Sequence, residues 1–497
     1  MAEKGLTLKK LIENNFQPET PLDTLEKTIS TRLEKHKKEG RSKAFTYQSF
    51  FPNTILDTNV QKKIVAALLS GNHILLFGPP GSGKTNLIKD IMDLLPPKIY
   101  AVEGCPVHDS PFSIADPKFS RLVPPCPTCK ARFGKVMFEE TGDFDPGKID
   151  PGKVPVHLFH MREGHGFARI QGSPEVFPDN LTGTINLHRL EEIGDPTSPL
   201  VIQPGKLLQA NRGVLLIDEI GKLPHGTQNV LLQALQEATV TPAKSRETFP
   251  ASFIAVTTSN LNDLDAINEP LNDRLSNIYV GYNSEHYKNR MIIDLQLKKK
   301  DNRLFIPDIF IEAAVFLVEE WRRKGGDIYE FIEVGSNRTM IDIVTRTVAY
   351  SIMEGRSSLS IDAYTRGVTD AMMGRIRARG GESFFENKRL IEGFVKENTK
   401  VSLDKAGRRY WCEFFKKKLS SNTLQGKKTL KEIETVAASP KILSKAVQTR
   451  DGYGRFRSFY DYVIKKERFS GPYRGKKLFR SVFDFMKAID VFHCEEE

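Results

Sequence analysis

Cysteine is scarce, with five residues in a chain of 497. So few cannot form a disulfide framework at this length, and a reducing compartment suits them better. Long apolar runs are missing too: none approaches the roughly 18 residues that a membrane-spanning helix needs. The opening segment MAEKGLTLKKLIE has no apolar signal core and carries acidic residues early, so export or organelle import is not expected. These absences lead us to expect a cytoplasmic protein with no membrane contact. An excess of one charge is absent from most of the chain as well. The first 400 residues hold 51 Lys/Arg against 50 Asp/Glu, whereas residues 401–497 hold 22 against 12. The net charge of +11 therefore belongs almost wholly to the C-terminal fifth.

What the chain does have starts with a strand–loop–helix signal. His73 to Phe77 is a short apolar run of strand length, and NLIKDIMDLL places Leu87, Ile88, Ile91 and Leu94 at helical spacing. Between them lies Gly78-Pro79-Pro80-Gly81-Ser82-Gly83-Lys84-Thr85, which fills every position of G-x-x-x-x-G-K-[ST]. Backbone N–H groups of such a loop close around a polyphosphate at the positive end of the new helix. Lys84 would reach the β/γ-phosphates and the Thr85 hydroxyl would ligate Mg²⁺, so a nucleoside triphosphate is the expected ligand. A second apolar run, Gly213 to Glu219, ends in two carboxylates. Asp218 stands where it can hold Mg²⁺ through water, and Glu219 where it can deprotonate an attacking water. FIAVTTSN is another buried strand, ending at Asn260, which can orient that water. Arg274, on a short helix in Pro270–Leu275, stands outside the nucleotide's own loop.

Around these elements the chain divides into about three domains and an arm. Residues 1–45 read as a helical N-terminal arm of one or two solvated helices. Residues 46–295 read as a nucleotide-binding α/β core, 296–400 as a set of amphipathic helices and 401–497 as a basic, mostly helical C-terminal domain. Within the core, NTILDTNVQKKIVAALLS reads as a helix beside the first strand, PKIYAVEG supplies a second strand, and regularity then stops from 105 to 166. A structureless loop of that length needs an organiser. Cys105-x-x-His108 and Cys126-x-x-Cys129 have the paired spacing of a tetrahedral zinc site with no open position, while a redox CxxC remains the alternative. His157, His160 and His165 read as surface loop residues. TVTPAKSRETFPAS reads as a hairpin with a basic tip. In the tail, basic and aromatic residues interleave (RRYWCEFFKKK, GYGRFRSFYDYVIKKERF, YRGKKLFR), which suits either a small domain with a solvated face or a surface for nucleic acid or an acidic protein.

With the segments GCPVHDSPF (104–112), DNLTGTINL (179–187) and LQANRG (208–213), the chain resembles the AAA+ ATPases. Among them it is similar to the ATPase subunit of magnesium chelatase and still more so to the ATPase domain of PrkA-type proteins, over roughly residues 55–380. The resemblance implies a five-stranded parallel sheet between helices, followed by a helical lid. It implies ATP with Mg²⁺, Asn260 as sensor 1, Arg274 as the arginine finger and Arg338, in VGSNRTMIDIV, as sensor 2 of the lid. It places 172–186 in an insertion into the second helix and 240–252 in the hairpin before sensor 1, both facing the pore of a homo-oligomeric ring. Beyond about residue 400 it ends. Serine kinase activity is ascribed in PrkA-type proteins to a longer C-terminal region, and here no HRD-type loop or DFG follows. The leading expectation is thus an ATPase that remodels a client or adaptor protein. A protein kinase using the same loop and a nucleic-acid motor are the alternatives.

Overall fold

The computed structural model describes residues 5–40, 48–137, 144–196, 198–243, 245–298, 304–323, 329–331, 335–373, 375–378, 384–418, 423–449 and 452–492. They form two compact units, one ending at Gly281 and the other starting at Tyr282.

In chain order the strands of the first unit are β1 (His73–Phe77), β2 (Lys98–Val102), β3 (Val156–His160), β4 (Arg162–Glu163), β5 (Gly166–Gln171) and β6 (Gly183–Ile185). Then come β7 (Ile202–Pro204), β8 (Gly213–Asp218), β9 (Thr239–Val240), β10 (Phe249–Pro250), β11 (Phe253–Ser259) and β12 (Leu275–Tyr279). The central sheet runs β12-β1-β11-β8-β5-β4. All its pairs are parallel, so every strand ends on the same edge. Alternate residues feed two cores, as the period of two in a strand requires. Leu75, Leu215, Ile217 and Ala255 face the core shared with the 105–166 insert. Ile74, Leu76, Val214, Leu216 and Val256 face helices Pro21–Lys38, Thr58–Leu69 and Lys84–Met92.

The five long parallel strands are the expected sheet, with two-residue β4 added at one edge. The expected second strand, however, is not in it. β2 pairs antiparallel with β3 in a separate ribbon, and the place beside β8 is taken by β5, GFARIQ. The burial pattern explains the exchange: Ala168 and Ile170 are buried while Arg169 and Gln171 point outward, the alternation that a strand near a sheet edge needs.

The insert is also more regular than its composition suggests. Helices Phe112–Ala115, Pro117–Leu122 and Pro127–Met137 fill much of it. Two Asp-Pro-Gly-Lys sequences close 3-10 turns in which Asp145 and Asp150 accept the N–H of Gly147 and Gly152 at 2.9 and 2.8 Å. Proline supplies the fixed φ and aspartate caps the free donor. The N-terminal arm is two helices, but it is not merely solvated. Leu8 and Leu11 are buried in the insert's core, and Leu25 and Ile29 in the core on the opposite face.

The second unit is helical, from His286–Lys298 to Gly475–Ala488, with one short antiparallel strand pair. Its lid-like and tail segments do not separate into two cores. Helix Phe384–Lys418 runs straight through the expected boundary, and Trp321 and Tyr364 share one cluster with Trp411, Phe414, Phe459 and Phe479. The tail's rings are therefore its core: Trp411 meets Phe459 edge-on at 5.2 Å and Phe414 meets it at 5.0 Å. Among the described residues, no helix is long and apolar enough to cross a membrane.

Candidate nucleotide site and metal centre

Residues Gly78 to Thr85 turn from the end of β1 into helix Lys84–Met92 at the C-terminal edge of the sheet. Gly78 has φ +153°, and a Cβ there would lie 2.3 Å from the Val280 carbonyl oxygen, so no other residue fits beside β12. Gly83, with φ +104°, is the left-handed N-cap of the helix. Pro79 and Pro80 stiffen the loop, and Gly81 turns it. Lys84 Nζ donates to the carbonyls of Gly78 and Pro79, both at 2.9 Å, which folds the ammonium over the loop's concave side. Ser82 is 3% exposed and its Oγ is buried without a hydrogen-bond partner. An orphaned polar atom inside a glycine cradle under a lysine fits an anionic ligand. Thr85 lies part-buried in the first turn of the helix.

The carboxylates stand at the same edge. Because β11 lies between β1 and β8, the loop and the Asp218–Glu219 pair flank the end of β11. Glu219 takes a left-handed backbone, φ +58°. Its carboxylate accepts from Lys222 Nζ at 2.9 Å, Gln171 Nε2 at 3.2 Å and Asn260 Nδ2 at 3.4 Å. Hydrogen bonding to Glu219 holds the Lys222 ammonium above its ordinary pKa. Asp218 accepts from Arg169 Nη2 at 3.2 Å and from the Thr258 hydroxyl at 2.5 Å. The same hydroxyl accepts the Glu219 N–H at 2.9 Å. The structure thus brings Asp218, Glu219 and Asn260 together as expected. It adds four residues that the sequence reading missed: Thr258, Arg169, Gln171 and Lys222. The outward Arg169-x-Gln171 alternation was the available signal for two of them.

Arg274 is exposed on the first unit, donating to the Pro270 carbonyl at 2.6 Å and to Gln236 Oε1 at 2.8 Å. Neither partner belongs to the phosphate loop. Arg338 is exposed in the first turn of helix Asn337–Met353 in the second unit.

The cysteine group forms with one change of member. Cys105, Cys126, Cys129 and Asp109 are all buried, with ligand atoms within 4.8 Å of one another. His108 is not among them. Its backbone is left-handed, φ +57°, and the turn directs Asp109 into the group and the buried imidazole away from it. His108 Nε2 lies 3.3 Å from the Gly164 carbonyl, and the ring stacks on His165 at 4.9 Å and meets Phe159 tilted at 4.6 Å. His157 and His165 are half-buried rather than loop-surface residues, each with Nδ1 shielded from solvent and unpartnered. Cys105 Sγ lies 3.8 Å from Cys126 Sγ, the edge of a tetrahedron with metal–sulfur bonds of about 2.3 Å. N–H groups of Asp109 and Cys129 point at Cys105 Sγ (3.2 Å) and Cys126 Sγ (3.4 Å), which favours thiolates. Burial raises the Cys105 thiol, but hydrogen bonds from Cys126, Cys129 and the backbone outweigh it and leave it well below the ordinary range. Burial, then the Cys105 charge, lifts Asp109 to about 8. Four acidic groups sharing one dry pocket fit a divalent cation better than they fit one another.

The family model for the PrkA AAA domain matches residues 17–318. The chain is 29% identical over 245 residues to the magnesium-chelatase 67 kDa subunit of Heliobacterium mobile, covering 48% of this chain and 30% of that protein. It is 25% identical over 346 residues to the magnesium-chelatase subunit ChlI homolog of Methanocaldococcus jannaschii, covering 65% and 84%. To the archaeal Lon protease of Archaeoglobus fulgidus it is 25% identical over 330 residues, covering 53% and 51%. Among solved structures, a complex of subunits BchI and BchD of magnesium chelatase aligns with TM-score 0.30 and 20% identity, over 63% of this chain and 92% of that one. The family match spans the phosphate loop, the cysteine group, the Asp218–Glu219 pair and Arg274: the chain belongs to the PrkA AAA domain family, AAA+ ATPases of the magnesium-chelatase-like type.

Proposed function

We propose that the chain binds ATP on the loop Gly78–Thr85 and hydrolyses it with Mg²⁺, as a homo-oligomeric ring that remodels a client or adaptor protein. The observation that carries this reading is Glu219, held by Asn260 and Gln171 at the sheet edge that bears the loop. Lys84 binds the phosphates, Glu219 takes the proton of the attacking water and Asn260 orients that water. Thr85 and Asp218 would hold Mg²⁺, which when bound neutralises charge on the phosphate oxygens. Arg274 bonds to Pro270 and Gln236 and not to its own loop, which suits action on a neighbour's nucleotide. Arg338 would report nucleotide occupancy from the helical unit. The relatives named as chelatase subunits lend support to an assembly. Cys105, Asp109, Cys126 and Cys129 would hold structural zinc, which would brace the insert without catalysing anything. A nucleic-acid role for the tail has lost its stacking rationale, because Phe456, Phe459, Phe479 and Phe483 are buried. The basic surface that remains suits docking of an acidic protein.

The test is phosphate release by the full chain with and without Mg²⁺, beside Glu219→Gln. That variant should bind ATP and turn over about 10²–10⁴-fold more slowly. Near-normal hydrolysis by it would overturn the role of Glu219, and no Mg²⁺-dependent release by the native chain would overturn the reading as a whole.

A further inference from the structure

Arg212 immediately precedes β8, and its backbone is left-handed, φ +65°. Its Nη1 donates to two carbonyls, Tyr100 at 2.7 Å and His108 at 3.1 Å. Its own N–H reaches the Ser252 carbonyl at 2.6 Å. Asn211 makes the parallel tie: Nδ2 donates to the Val107 carbonyl at 2.8 Å, and Oδ1 accepts the Ser252 N–H at 2.9 Å. Val107 and His108 lie between Cys105 and Asp109, so the two residues at the root of β8 grip the turn that carries half the metal centre. A desolvated guanidinium normally demands a carboxylate partner. Arg212 is half-buried and makes no ion pair among the described residues, although burial is the main influence on its guanidinium. The missing partner is next door. Three thiolates and one carboxylate around a divalent cation leave two excess negative charges in a buried pocket, with Asp109 and Cys105 the anions that act most on Arg212.

Resting on the zinc reading above, we propose that Arg212 is the counter-cation of the Cys105–Asp109–Cys126–Cys129 centre. Through Arg212 and Asn211, metal occupancy fixes the root of the strand that ends in Asp218 and Glu219. The zinc-loaded centre carries negative charge, and Arg212 balances it. Once loaded, the centre holds the Val107 and His108 carbonyls where Asn211 and Arg212 need acceptors. When metal leaves, that turn loosens and the two donors lose their places together.

The experiment uses the full chain, with zinc content by elemental analysis and zinc affinity by competition with a chromophoric chelator. The native chain should hold one zinc, and Arg212→Gln should bind it about 10–100-fold more weakly, as outer-sphere partners of metal sites do. Zinc bound by Arg212→Gln as tightly as by the native chain would overturn the charge role and leave the zinc reading standing. No zinc in the native chain would overturn both. Should Arg212→Gln fail to fold, Arg212→Lys decides. A single Nη1 makes both bonds, so an ammonium can replace it. Affinity within about threefold of native supports charge balance, whereas a loss like that of Cys126→Ser overturns it. Hydrogen exchange on the native chain tests the tie. Chelation should speed exchange in residues 100–109 and 211–216 together, and acceleration confined to 100–109 would overturn the coupling to β8.

Discussion

Thr258 offers the sharpest test of how the carboxylate pair is held. It is 1% exposed on β11, and its one hydroxyl both donates to Asp218 and accepts the Glu219 N–H. Thr258→Val replaces that hydroxyl with a methyl group of nearly the same shape, so packing changes little while both bonds vanish. A hydrogen bond to a charged carboxylate contributes about 1.5–3 kcal/mol, which bounds the loss in anchoring Asp218. Released from it, Asp218 can swing toward Arg169, its remaining partner at 3.2 Å. A displacement of about 1 Å at a reacting centre costs about 10²-fold in rate, equivalent to about 2.7 kcal/mol. We therefore expect Thr258→Val to bind ATP almost as the native chain does, because Lys84 and its loop hang from β1. Its turnover should fall about 10²-fold, and half-maximal activity should need more Mg²⁺. Thr258→Ser keeps the hydroxyl and should stay within about threefold of native. The assay is steady-state phosphate release across a Mg²⁺ titration, with thermal unfolding to confirm that each variant is folded. Turnover in folded Thr258→Val equal to that in Thr258→Ser would refute the reasoning.

Three further outcomes follow from other parts of the chain. If Arg274 acts on a neighbour, Arg274→Ala should lose on the order of 10³–10⁵ in rate, and rings mixed with Glu219→Gln should regain activity. Co-assembled rings with no recovery would exclude action in trans. Glu467 is buried, accepting from the Asp308 N–H at 2.9 Å and the Tyr410 hydroxyl at 3.0 Å. Burial, then Asp308, lifts its pKa to about 8 from 4.5. The folded chain thus keeps a proton that the unfolded chain has released, so this group's contribution to stability is fully present below about 4.5 and decays as pH rises through about 8. Glu467→Gln should flatten the fall in thermal stability over that window, and an unchanged pH profile would count against it. Phe459, fully buried among Trp411, Phe414 and Phe479, should cost about 3–5 kcal/mol as Phe459→Ala. Calorimetry would place that loss in the helical unit's transition, and an unchanged profile would show that the ring is not core.

The parts legible in sequence were those whose chemistry forces residues to be neighbours. A phosphate cradle needs its glycines, lysine and hydroxyl within eight consecutive positions, and an acidic pair at a strand end needs an apolar run before it. β5 was hidden because GFARIQ follows a Pro- and Gly-rich stretch and presents only two buried apolar side chains, Ala168 and Ile170. His108 was preferred to Asp109 because pair spacing assumes ordinary backbone. A left-handed residue rotates the next side chain into the place that spacing assigns to its neighbour. Thr258 and Arg212 are harder still. Each acts on groups far away in sequence, and a threonine in a strand or an arginine before one is unremarkable until the partner is seen. The tail misled through composition: interleaved basic and aromatic residues look alike whether the rings face outward or, as with Trp411 and Phe459, inward.

The placement of Asp218 and Glu219 depends on ties at both ends of β8 more than on the strand itself. GVLLID is buried along almost its whole length, and Val214, Leu215, Leu216 and Ile217 are near-equivalent apolar residues facing two apolar cores. A strand with one polar face has its register fixed, because a one-residue slip would bury that face. β8 has no such face, so its own pattern resists sliding weakly. Polar and steric devices at the two ends supply what the pattern lacks. At the root, a Cβ on Gly213 would lie 1.7 Å from the Gly166 carbonyl oxygen, and Asn211 and Arg212 hold the carbonyls of Val107 and His108. At the tip, Thr258 holds both carboxylate residues. An apolar substitution inside β8 should therefore weaken the fold while leaving the chemistry of surviving molecules intact. A substitution at either end should do the reverse, which makes the buried Cys105–Asp109–Cys126–Cys129 group near the root of β8 relevant to turnover at its tip.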